Sequence, residues 1–354
     1  MLDQAKIQEL NKVAKQMVAP GKGILAADES TGTIGKRFEK INLPNEEPNR
    51  QAYRKMLFTT PDIGKYISGV IMYDETIRQS AKDGKSFVSI LQKAGVLPGI
   101  KVDLGTESFP GSLEEKITKG IDGLPKRLAE YVVLGAKFAK WRAVITIGKD
   151  LPTKSNIRQN AKTLAAYALA CQQAGLVPMV EPEVLMDGTH SMARCGEVSE
   201  KTLTYVFEEL QAARVAPEGI ILKTNMVIPG KDSGEKATAA QIAEATLALF
   251  KKVLPNGLPG QAFLSGGQSE IEATENLNAM HQLGELPWQL SFSYGRALQD
   301  SALKTWKGKA ENIAAAQQAL IHRAKMNSLA SEGKYNSELE KGFIAVSGGE
   351  ATQD

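Results

Sequence analysis

The chain has 354 residues, of which 42% are hydrophobic and 23% are charged, a composition typical of a globular protein with a sizeable core. Its net charge of +3 is too small to indicate a nucleic acid or a membrane surface as a partner. With two cysteines, Cys171 and Cys195, it is not built on a disulfide framework. No segment has the length of a membrane span or the form of a signal peptide, so we expect a cytoplasmic protein.

Short apolar runs that end in polar residues recur eight times along the chain, and each predicts a buried strand. They cover residues 24–27, 67–74, 99–103, 139–146, 177–183, 219–225, 262–267 and 290–296. Segments with apolar residues near the helical period are 1–20, 161–173, 200–213, 239–252, 269–283 and 311–330. Eight alternating units predict a (β/α)8 barrel, because an open doubly wound sheet usually has fewer strands.

The predicted organisation is a single domain over 1–354, with its barrel core at about 19–330. An extra helix precedes the barrel and another follows it. Residues 331–354 are rich in Gly, Ser and Glu and have weak apolar periodicity. They are predicted to be a mobile tail or an arm that covers a site.

Polar residues end most of the predicted strands, and in a barrel these ends face one pocket. Lys140 and Arg142 are two residues apart and can both point inward from the fourth run, as Glu181 and Glu183 can from the fifth. Any one of them could be a structural ion pair. Together they are harder to explain without a ligand, because burying so many charges is costly.

Lys223 follows the apolar run Ile220–Leu222. Taken alone, a lysine in this position more often reaches out to water than reacts. A lysine nucleophile must be uncharged, and desolvation together with a neighbouring cation favours the neutral amine. Lys140 is the candidate neighbour, and Glu181 and Asp28 could transfer protons. This set of residues predicts Schiff-base chemistry on a carbonyl substrate.

Two loop regions are typical of phosphate sites. Residues 265–267 and 293–296 end the seventh and eighth runs, where barrels often bind a phosphate with backbone N–H groups. On the opposite rim, the hydroxyl-rich segment 29–33 follows the first run, Arg37 lies just beyond it, and Lys101 ends the third run. Hydroxyl-rich loops are commonly ordinary turns, so this second site is the less distinctive. Two anion sites around a reactive lysine would suit a sugar with phosphate at both ends.

Other cofactor classes find little support in the sequence. Residues 21–26 match the glycine fingerprint of dinucleotide sites but precede a strand where they should follow one. The histidines His190, His281 and His322 show no metal-ligand spacing. No feature marks a pyridoxal phosphate site. We therefore predict neither a metal nor a cofactor.

Seven motifs carry a resemblance to one family and cover most of the chain, from Ala19 to about Tyr335. They are APGKGILAADESTG at 19–32, GIKVD at 99–103, FAKWR at 138–142, VEPEVL at 180–185, EGIILK at 218–223, FLSGGQSE at 263–270 and FSYGRALQ at 292–299. With these motifs in this order, the chain resembles class I fructose-1,6-bisphosphate aldolases. The resemblance implies a (β/α)8 barrel, usually a homotetramer, that cleaves its substrate to dihydroxyacetone phosphate and glyceraldehyde 3-phosphate without metal.

The resemblance also implies roles for residues. Lys223 matches the imine-forming lysine, Glu181 the acid/base with Glu183 beside it, Lys140 the lysine that supports those steps, and Asp28 the carboxylate that assists carbon–carbon cleavage. The residues matched to the ketose-end phosphate are Ser265, Gly266 and Arg296, with Gly267, Ser293 and Gly295 in the same turns. Those matched to the other end of the substrate are Ser30, Thr33, Arg37, Lys101 and Arg142.

The chain departs from the animal pattern at two places. Thr224 stands where animal members have proline, which restores an N–H group. Residues 350–354 contain no aromatic residue, whereas animal members end in a tyrosine that helps to protonate the enamine. We expect a slower or differently gated proton step. The alternatives are a preference for fructose 1-phosphate or sedoheptulose 1,7-bisphosphate, or a catalytically silent barrel that binds sugar phosphates or acts as a scaffold.

Overall fold

A computed structural model describes residues 2–81 and 84–341 of the chain. Eight parallel strands close into a barrel in the order β1-β2-β3-β6-β7-β8-β9-β10, and β4 and β5 form a separate antiparallel hairpin. The strands are β1 Gly23–Ala27, β2 Ile67–Met72, β3 Leu97–Lys101, β4 Thr106–Ser108, β5 Lys116–Thr118, β6 Phe138–Ile145, β7 Val177–Val184, β8 Ile221–Thr224, β9 Gly260–Phe263 and β10 Gln289–Tyr294. The predicted (β/α)8 barrel is confirmed.

The barrel strands could be predicted from the sequence because they are buried on both faces. Every residue of β1, β2 and β7 is buried, and such strands are near-continuous apolar runs. The predicted ends were less accurate. The second run was extended to residue 74, but β2 ends at Met72 and Asp74 begins a helix. The hairpin of β4 and β5 was missed, since each of its strands has only three residues.

Thirteen α-helices lie in the described part of the chain. They are α1 Gln4–Met17, α2 Thr31–Phe38, α3 Glu47–Phe58, α4 Ile63–Tyr66, α5 Asp74–Ile77, α6 Phe87–Lys93, α7 Leu124–Val133, α8 Lys154–Ala174, α9 Met192–Ala212, α10 Ala239–Val253, α11 Glu270–Gln282, α12 Arg296–Trp306 and α13 Ile313–Ala330. Within this part of the chain, no helix is long and apolar enough to cross a membrane.

Helices α8 and α9 begin earlier than their apolar pattern predicted, because side-chain caps set their first residues. Thr153 Oγ1 accepts a hydrogen bond from Asn156 N at 3.2 Å, and Ser191 Oγ accepts one from Arg194 N at 3.2 Å. Each cap satisfies a backbone N–H group that has no partner within the helix. The residues added to α8 are mostly polar, whereas those added to α9 include the buried Cys195 and Val198, which the predicted start of that helix left out.

Helix α1 closes the bottom of the barrel, the end opposite the carboxyl ends of the strands. Its Leu10, Ala14 and Met17 belong to the same buried apolar cluster as the inward-facing Ile221 and Ala262. Two polar contacts fix the helix there: Asn11 donates to the carbonyl of Glu218 at 2.9 Å, and Lys6 to that of Gln173 at 2.6 Å. The packing leaves the opposite end of the barrel as the open one.

Phe138 of β6 lies in this lower layer, and its ring packs against glycines of β3 and β2. A Cβ atom added to Gly99 would lie 2.2 Å from the ring, and one added to Gly69 would lie 3.0 Å from it. We expect Gly99→Ala to lower the free energy of unfolding by roughly 1–3 kcal/mol, because an overpacked core must shift. Denaturant unfolding monitored by circular dichroism measures this loss.

Gly196→Ala in α9 is the matched control. Its new methyl group would meet only Val227, at an ordinary 3.5 Å, and alanine is the better helix former. Its unfolding midpoint should equal or exceed that of the unmodified chain. Equal stability of the Gly99 and Gly196 variants would show that the ring tolerates the added methyl group.

The segment after α13 folds back on the barrel as far as the structure describes it. Arg323 donates to both carboxylate oxygens of Glu340, at 2.7 and 2.9 Å, and Tyr335 donates to the same carboxylate at 3.1 Å. The backbone N–H of Tyr335, which is buried, donates to Asn278 at 3.0 Å. The rest of the predicted tail, 342–354, lies outside the described residues, and so does the segment without an aromatic residue.

Candidate active site

A cleft of about 230 Å³ opens at the carboxyl ends of the barrel strands. The site residues predicted from the sequence line it, apart from Gly267, which lies in the adjoining depression between α10 and α11. Those in the cleft are Asp28, Ser30, Thr33, Arg37, Lys101, Lys140, Arg142, Glu181, Glu183, Lys223, Ser265, Gly266, Ser293, Gly295 and Arg296. Ala26, Glu29 and Leu264 also line the cleft and were not assigned from the sequence.

Four buried charges form a chain of ion pairs at the centre of the cleft. Lys223 Nζ lies 3.0 Å from Glu181 Oε1, and Lys140 Nζ lies 3.0 Å from Glu181 Oε2. Lys140 also donates to Asp28 Oδ2 at 3.0 Å. Lys223, Lys140 and Glu181 are each less than 5% exposed. One carboxylate therefore bridges two ammonium groups, and Lys140 is held by two carboxylates.

The bridging arrangement controls the protonation of its members. Burial raises the pKa of Asp28. The positive charges of Lys140, Lys223 and Lys101 lower it by more than burial raises it, so the pKa lies well below its usual range. Burial likewise raises the pKa of Glu181, but the charges of Lys140 and Lys223 outweigh burial and bring the pKa below its usual value. Burial lowers the pKa of Lys140, but Asp28 and Glu181 raise it above its usual value. At neutral pH both carboxylates are ionised and Lys140 is an ammonium ion.

Strand register explains why these side chains meet. In the parallel ladder Lys101 of β3 pairs with Lys140 of β6, and Arg142 of β6 pairs with Glu181 of β7. Residues two apart on a strand share a face, so β6 directs Lys140 and Arg142 to the same side. Lys223 of β8 pairs with Ala262 of β9, whose small side chain belongs to the barrel interior. The register thus brings charged residues of β3, β6, β7 and β8 towards the same end of the barrel.

Outer ion pairs extend the central cluster towards the rim. Arg142 contacts Glu183, and Lys101 Nζ lies 2.5 Å from Asp103 Oδ1. Asp103 also accepts a hydrogen bond from the backbone N–H of Arg142 at 3.4 Å. Sequence reasoning did not assign Asp103, although it lies two residues after Lys101 in the GIKVD motif. It ties the ends of β3 and β6 together.

The loop after β9, where the sequence predicts a phosphate site, turns sharply at two glycines. Gly266 and Gly267 have φ of +55° and +85°, in the left-handed region that favours glycine. A Cβ at Gly267 would also lie 2.6 Å from Met186 Sδ, so the position has no space for a side chain. Gln268 holds the turn, since its backbone and side-chain N–H groups both donate to the carbonyl of Ser265 at 2.9 Å.

The opposite rim is formed by the start of α2. Ser30 caps the helix and accepts a hydrogen bond from the backbone N–H of Thr33 at 3.4 Å, and the two hydroxyl groups lie 3.1 Å apart. Arg37, further along α2, turns back to contact Glu29 and approaches the turn at Gly295. At the end of β1 the predicted second anion region therefore presents two hydroxyls and the guanidinium of Arg37, and Lys101 and Arg142 line the same cleft.

The cleft carries a surplus of positive charge. Six cations line it, namely Arg37, Lys101, Lys140, Arg142, Lys223 and Arg296, against four carboxylates, those of Asp28, Glu29, Glu181 and Glu183, which leaves a net charge of +2. An anionic substrate is therefore favoured. In the described part of the chain no group of three His, Cys, Asp or Glu side chains is arranged to hold a metal ion.

The lowered pKa of Asp28 predicts a pH dependence of stability. A carboxyl whose pKa is lower in the folded protein stabilises it above the unfolded pKa, about 3.9 for Asp, and this stabilisation is lost as the pH falls below that value. Between pH 4 and 3 the unmodified chain should lose stability more steeply than Asp28→Asn, by up to about 1.4 kcal/mol per pH unit. Urea unfolding at several pH values gives both slopes, and parallel slopes would contradict the ion-pair assignment.

A buried lysine that shares a carboxylate with a second lysine at the open end of a (β/α)8 barrel is the arrangement expected of an enzyme that binds a carbonyl substrate as a Schiff base. Comparison with known proteins gives the family. The chain belongs to the class I fructose-bisphosphate aldolases, because the model of that family matches residues 9–347.

Individual relatives agree with this assignment over nearly their whole length. The chain is 54% identical over 330 residues to a probable class 1 fructose-bisphosphate aldolase of Xanthomonas campestris, covering 93% of this chain and 99% of the relative. It is 54% identical over 328 residues to the cytoplasmic aldolase isozyme of Spinacia oleracea, covering 92% of each. The aldolase of Plasmodium falciparum, solved in complex with TRAP and a small-molecule inhibitor, superposes with a TM-score of 0.93 at 49% identity, covering 95% of this chain and 97% of that one.

Proposed function

We propose that this chain reversibly cleaves fructose 1,6-bisphosphate to dihydroxyacetone phosphate and glyceraldehyde 3-phosphate, a step of glycolysis and gluconeogenesis, with Lys223 as the covalent nucleophile. The observation that carries this assignment is the bridge formed by Glu181, which lies 3.0 Å from both Lys223 and Lys140. It places one carboxylate within hydrogen-bonding distance of the attacking nitrogen before any substrate is bound.

Imine formation requires proton transfers that Glu181 is placed to make. Lys223 first gives an ammonium proton to Glu181, and its free amine then adds to the C2 carbonyl carbon. A proton moves from the added nitrogen to the carbonyl oxygen to form the carbinolamine, which loses its hydroxyl as water when Glu181 returns the proton it accepted. Glu181 is ionised while two ammonium groups face it. Once Lys223 becomes an uncharged carbinolamine, one of those charges is gone, so the pKa of Glu181 rises and the carboxyl can hold the proton it must donate.

Carbon–carbon cleavage follows from the imine. Asp28 accepts the proton of the C4 hydroxyl as the bond between C3 and C4 breaks, which releases glyceraldehyde 3-phosphate and leaves the electron pair in an enamine. Lys140 lies between Asp28 and Glu181 and holds both carboxylates in place. Protonation of C3 and hydrolysis of the second imine then release dihydroxyacetone phosphate and restore the amine.

The two loop regions support a substrate with phosphate at each end. The ketose-end phosphate is assigned to the turns at 265–267 and 293–296, the first of which contains the positive-φ glycines Gly266 and Gly267. The other phosphate is assigned to the hydroxyls of Ser30 and Thr33 and to three cations of the cleft, Arg37, Lys101 and Arg142. Comparing kcat/KM for fructose 1,6-bisphosphate, fructose 1-phosphate and sedoheptulose 1,7-bisphosphate tests this assignment. A preference for the monophosphate would contradict it.

Borohydride trapping tests the mechanism itself. Incubation with dihydroxyacetone phosphate followed by borohydride should leave a reduced adduct on the peptide that contains Lys223, identified by mass spectrometry. The absence of that adduct, or loss of activity on adding a chelator, would overturn the Schiff-base assignment. A binding or scaffolding barrel without catalysis would also give no adduct.

Two further proposals rest on the family alone. We infer a homotetramer from the family resemblance, and light scattering of the purified chain measures its mass. A cytoplasmic location is supported by the spinach relative, which is named as a cytoplasmic isozyme. Fractionation of the source cells tests that location.

A further inference from the structure

A second arginine lies behind the rim of the cleft, at Arg54 of α3. Its side chain is 3% exposed, and its Nη1 lies 2.6 Å from Glu29 Oε2. Its Nη2 also donates to the carbonyl of Glu29 at 3.4 Å. The other carboxylate oxygen of Glu29 contacts Arg37, whose side chain is 15% exposed and lines the cleft. One carboxylate is therefore shared between a guanidinium that faces the cleft and one that does not.

The shared carboxylate is fixed in place. Gln299 donates to Glu29 Oε1 at 3.2 Å and to the carbonyl of Ala26 at 2.7 Å, and Tyr53 donates to Gln299 Oε1 at 3.0 Å. Burial raises the pKa of Glu29, but Arg37 and Arg54 together lower it below its usual value. Glu29 is thus ionised, and with the two arginines it carries a net charge of +1.

The position of Arg54 decides where this charge acts. If Glu29 faced Arg37 alone, the two charges would cancel and the carboxylate would compete with an incoming phosphate for the guanidinium. Arg54 occupies one oxygen of Glu29 and has almost no access to the cleft, so the surplus charge is available at Arg37. Bidentate contact with a guanidinium is a favourable way to bind a phosphate.

We propose that Arg54 is a positioning residue for substrate binding, which engages Glu29 so that Arg37 keeps a net positive charge for a phosphate group of the sugar. This inference rests on the proposed function. It assigns a binding role to a residue that touches no substrate, through the buried set Arg54–Glu29–Arg37.

Substitution of Arg54 distinguishes a role in substrate binding from a purely structural role, because only the former predicts a change in KM with kcat nearly unchanged. Arg54→Met should raise KM for fructose 1,6-bisphosphate about tenfold, the scale of one charge-assisted hydrogen bond, with little change in kcat. Arg54→Lys keeps the charge and should keep KM close to that of the unmodified chain. Thermal unfolding of each variant shows whether it is folded. An unchanged KM in folded Arg54→Met, or a fall in kcat alone, would overturn the proposal.

Restoring the charge balance provides the sharper comparison. Arg54→Met leaves Glu29 and Arg37 with no net charge, whereas the double variant Arg54→Met with Glu29→Gln returns the set to +1. Its KM should therefore fall back towards the original value, although losses from two structural defects would add. A KM above that of Arg54→Met would contradict the proposal.

If Arg54→Met does not fold, Glu29→Gln alone must leave KM no higher than in the unmodified chain, and a rise would overturn the inference.

Trapping with dihydroxyacetone phosphate separates this inference from the proposed function. An unmodified chain that gives no borohydride adduct on Lys223 would show that the proposed function is wrong. An adduct on Lys223 together with an unchanged KM in Arg54→Met would leave the proposed function standing and exclude only the role of Arg54.

Discussion

Lys223→Ala should abolish the cleavage of fructose 1,6-bisphosphate, lowering kcat by about 10⁴-fold or more, because the substitution removes the amine that forms the covalent bond to the substrate. The fold should persist. Lys223 lies at the end of β8, and its loss leaves Glu181 paired with Lys140. A steady-state assay coupled to triose phosphate detection measures the loss, and circular dichroism measures the fold.

The matched controls separate charge from nucleophilicity. Lys223→Arg keeps a cation opposite Glu181, but a guanidinium stays protonated and cannot form an imine. This variant should therefore be as inactive as Lys223→Ala. Lys252→Ala removes a lysine whose side chain is 65% exposed and paired with Glu200 on the outside of the barrel, and it should retain full activity. Cleavage by Lys223→Ala, with a borohydride adduct at another lysine, would show that the nucleophile has been misassigned.

Lys140→Met should slow imine formation by about 10²–10³-fold, the scale of lost acid–base assistance. This side chain holds Asp28 and Glu181 at 3.0 Å each, and its ammonium is the strongest influence lowering the pKa of both carboxyls. Without it both pKa values rise, so the acid limb of the pH–rate profile should move to higher pH. Rapid quenching into borohydride at a series of pH values gives the rate of imine formation directly.

Lys140→Arg is the control for charge. It keeps a cation between the two carboxylates and should leave the acid limb closer to its original pH, even if the larger guanidinium slows the reaction. A Lys140→Met rate equal to that of the unmodified chain at every pH would show that Glu181 works without its second ammonium. An equal shift in both variants would assign the effect to packing instead.

The barrel and the centre of the site could be predicted because both depend on regular backbone. A parallel strand buried on two faces reads as an apolar run, and its last residues reach the open end of the barrel. Lys223 is such a residue. Lys140 and Glu181 lie further inside β6 and β7, at inward-facing positions that line the same cleft, so their convergence with Lys223 followed from strand order together with the alternation of side chains along a strand. Lys140 had been expected to act as a bare neighbouring cation. In the structure its charge is shared by two carboxylates, and it meets Lys223 through Glu181.

Features that depend on distant segments could not be predicted. Arg54 is one polar residue on α3, and no local pattern connects it with Glu29 at the end of β1. Glu29 itself carried a signal, since it directly follows Asp28, but the segment 29–33 was interpreted through its hydroxyl groups as an anion site, and Glu29 was given no role of its own. The first residues of α8 and α9 were missed for a related reason, because single capping side chains set them. In each case a tertiary or capping contact determined the outcome, and apolar spacing does not report such contacts.

Helix α1, which closes the bottom of the barrel, has a consequence for synthesis of the chain on the ribosome. The helix emerges first, but the carbonyl of Glu218 that anchors Asn11 is added 207 residues later. At about 5–20 residues per second, this delay amounts to about 10–40 s. During that time Leu10, Ala14 and Met17 present an apolar stripe with no barrel to cover it. The nascent chain therefore offers a target for a chaperone that binds exposed apolar helices, and this exposure ends only when the last strands, up to β10, close the barrel wall around α1.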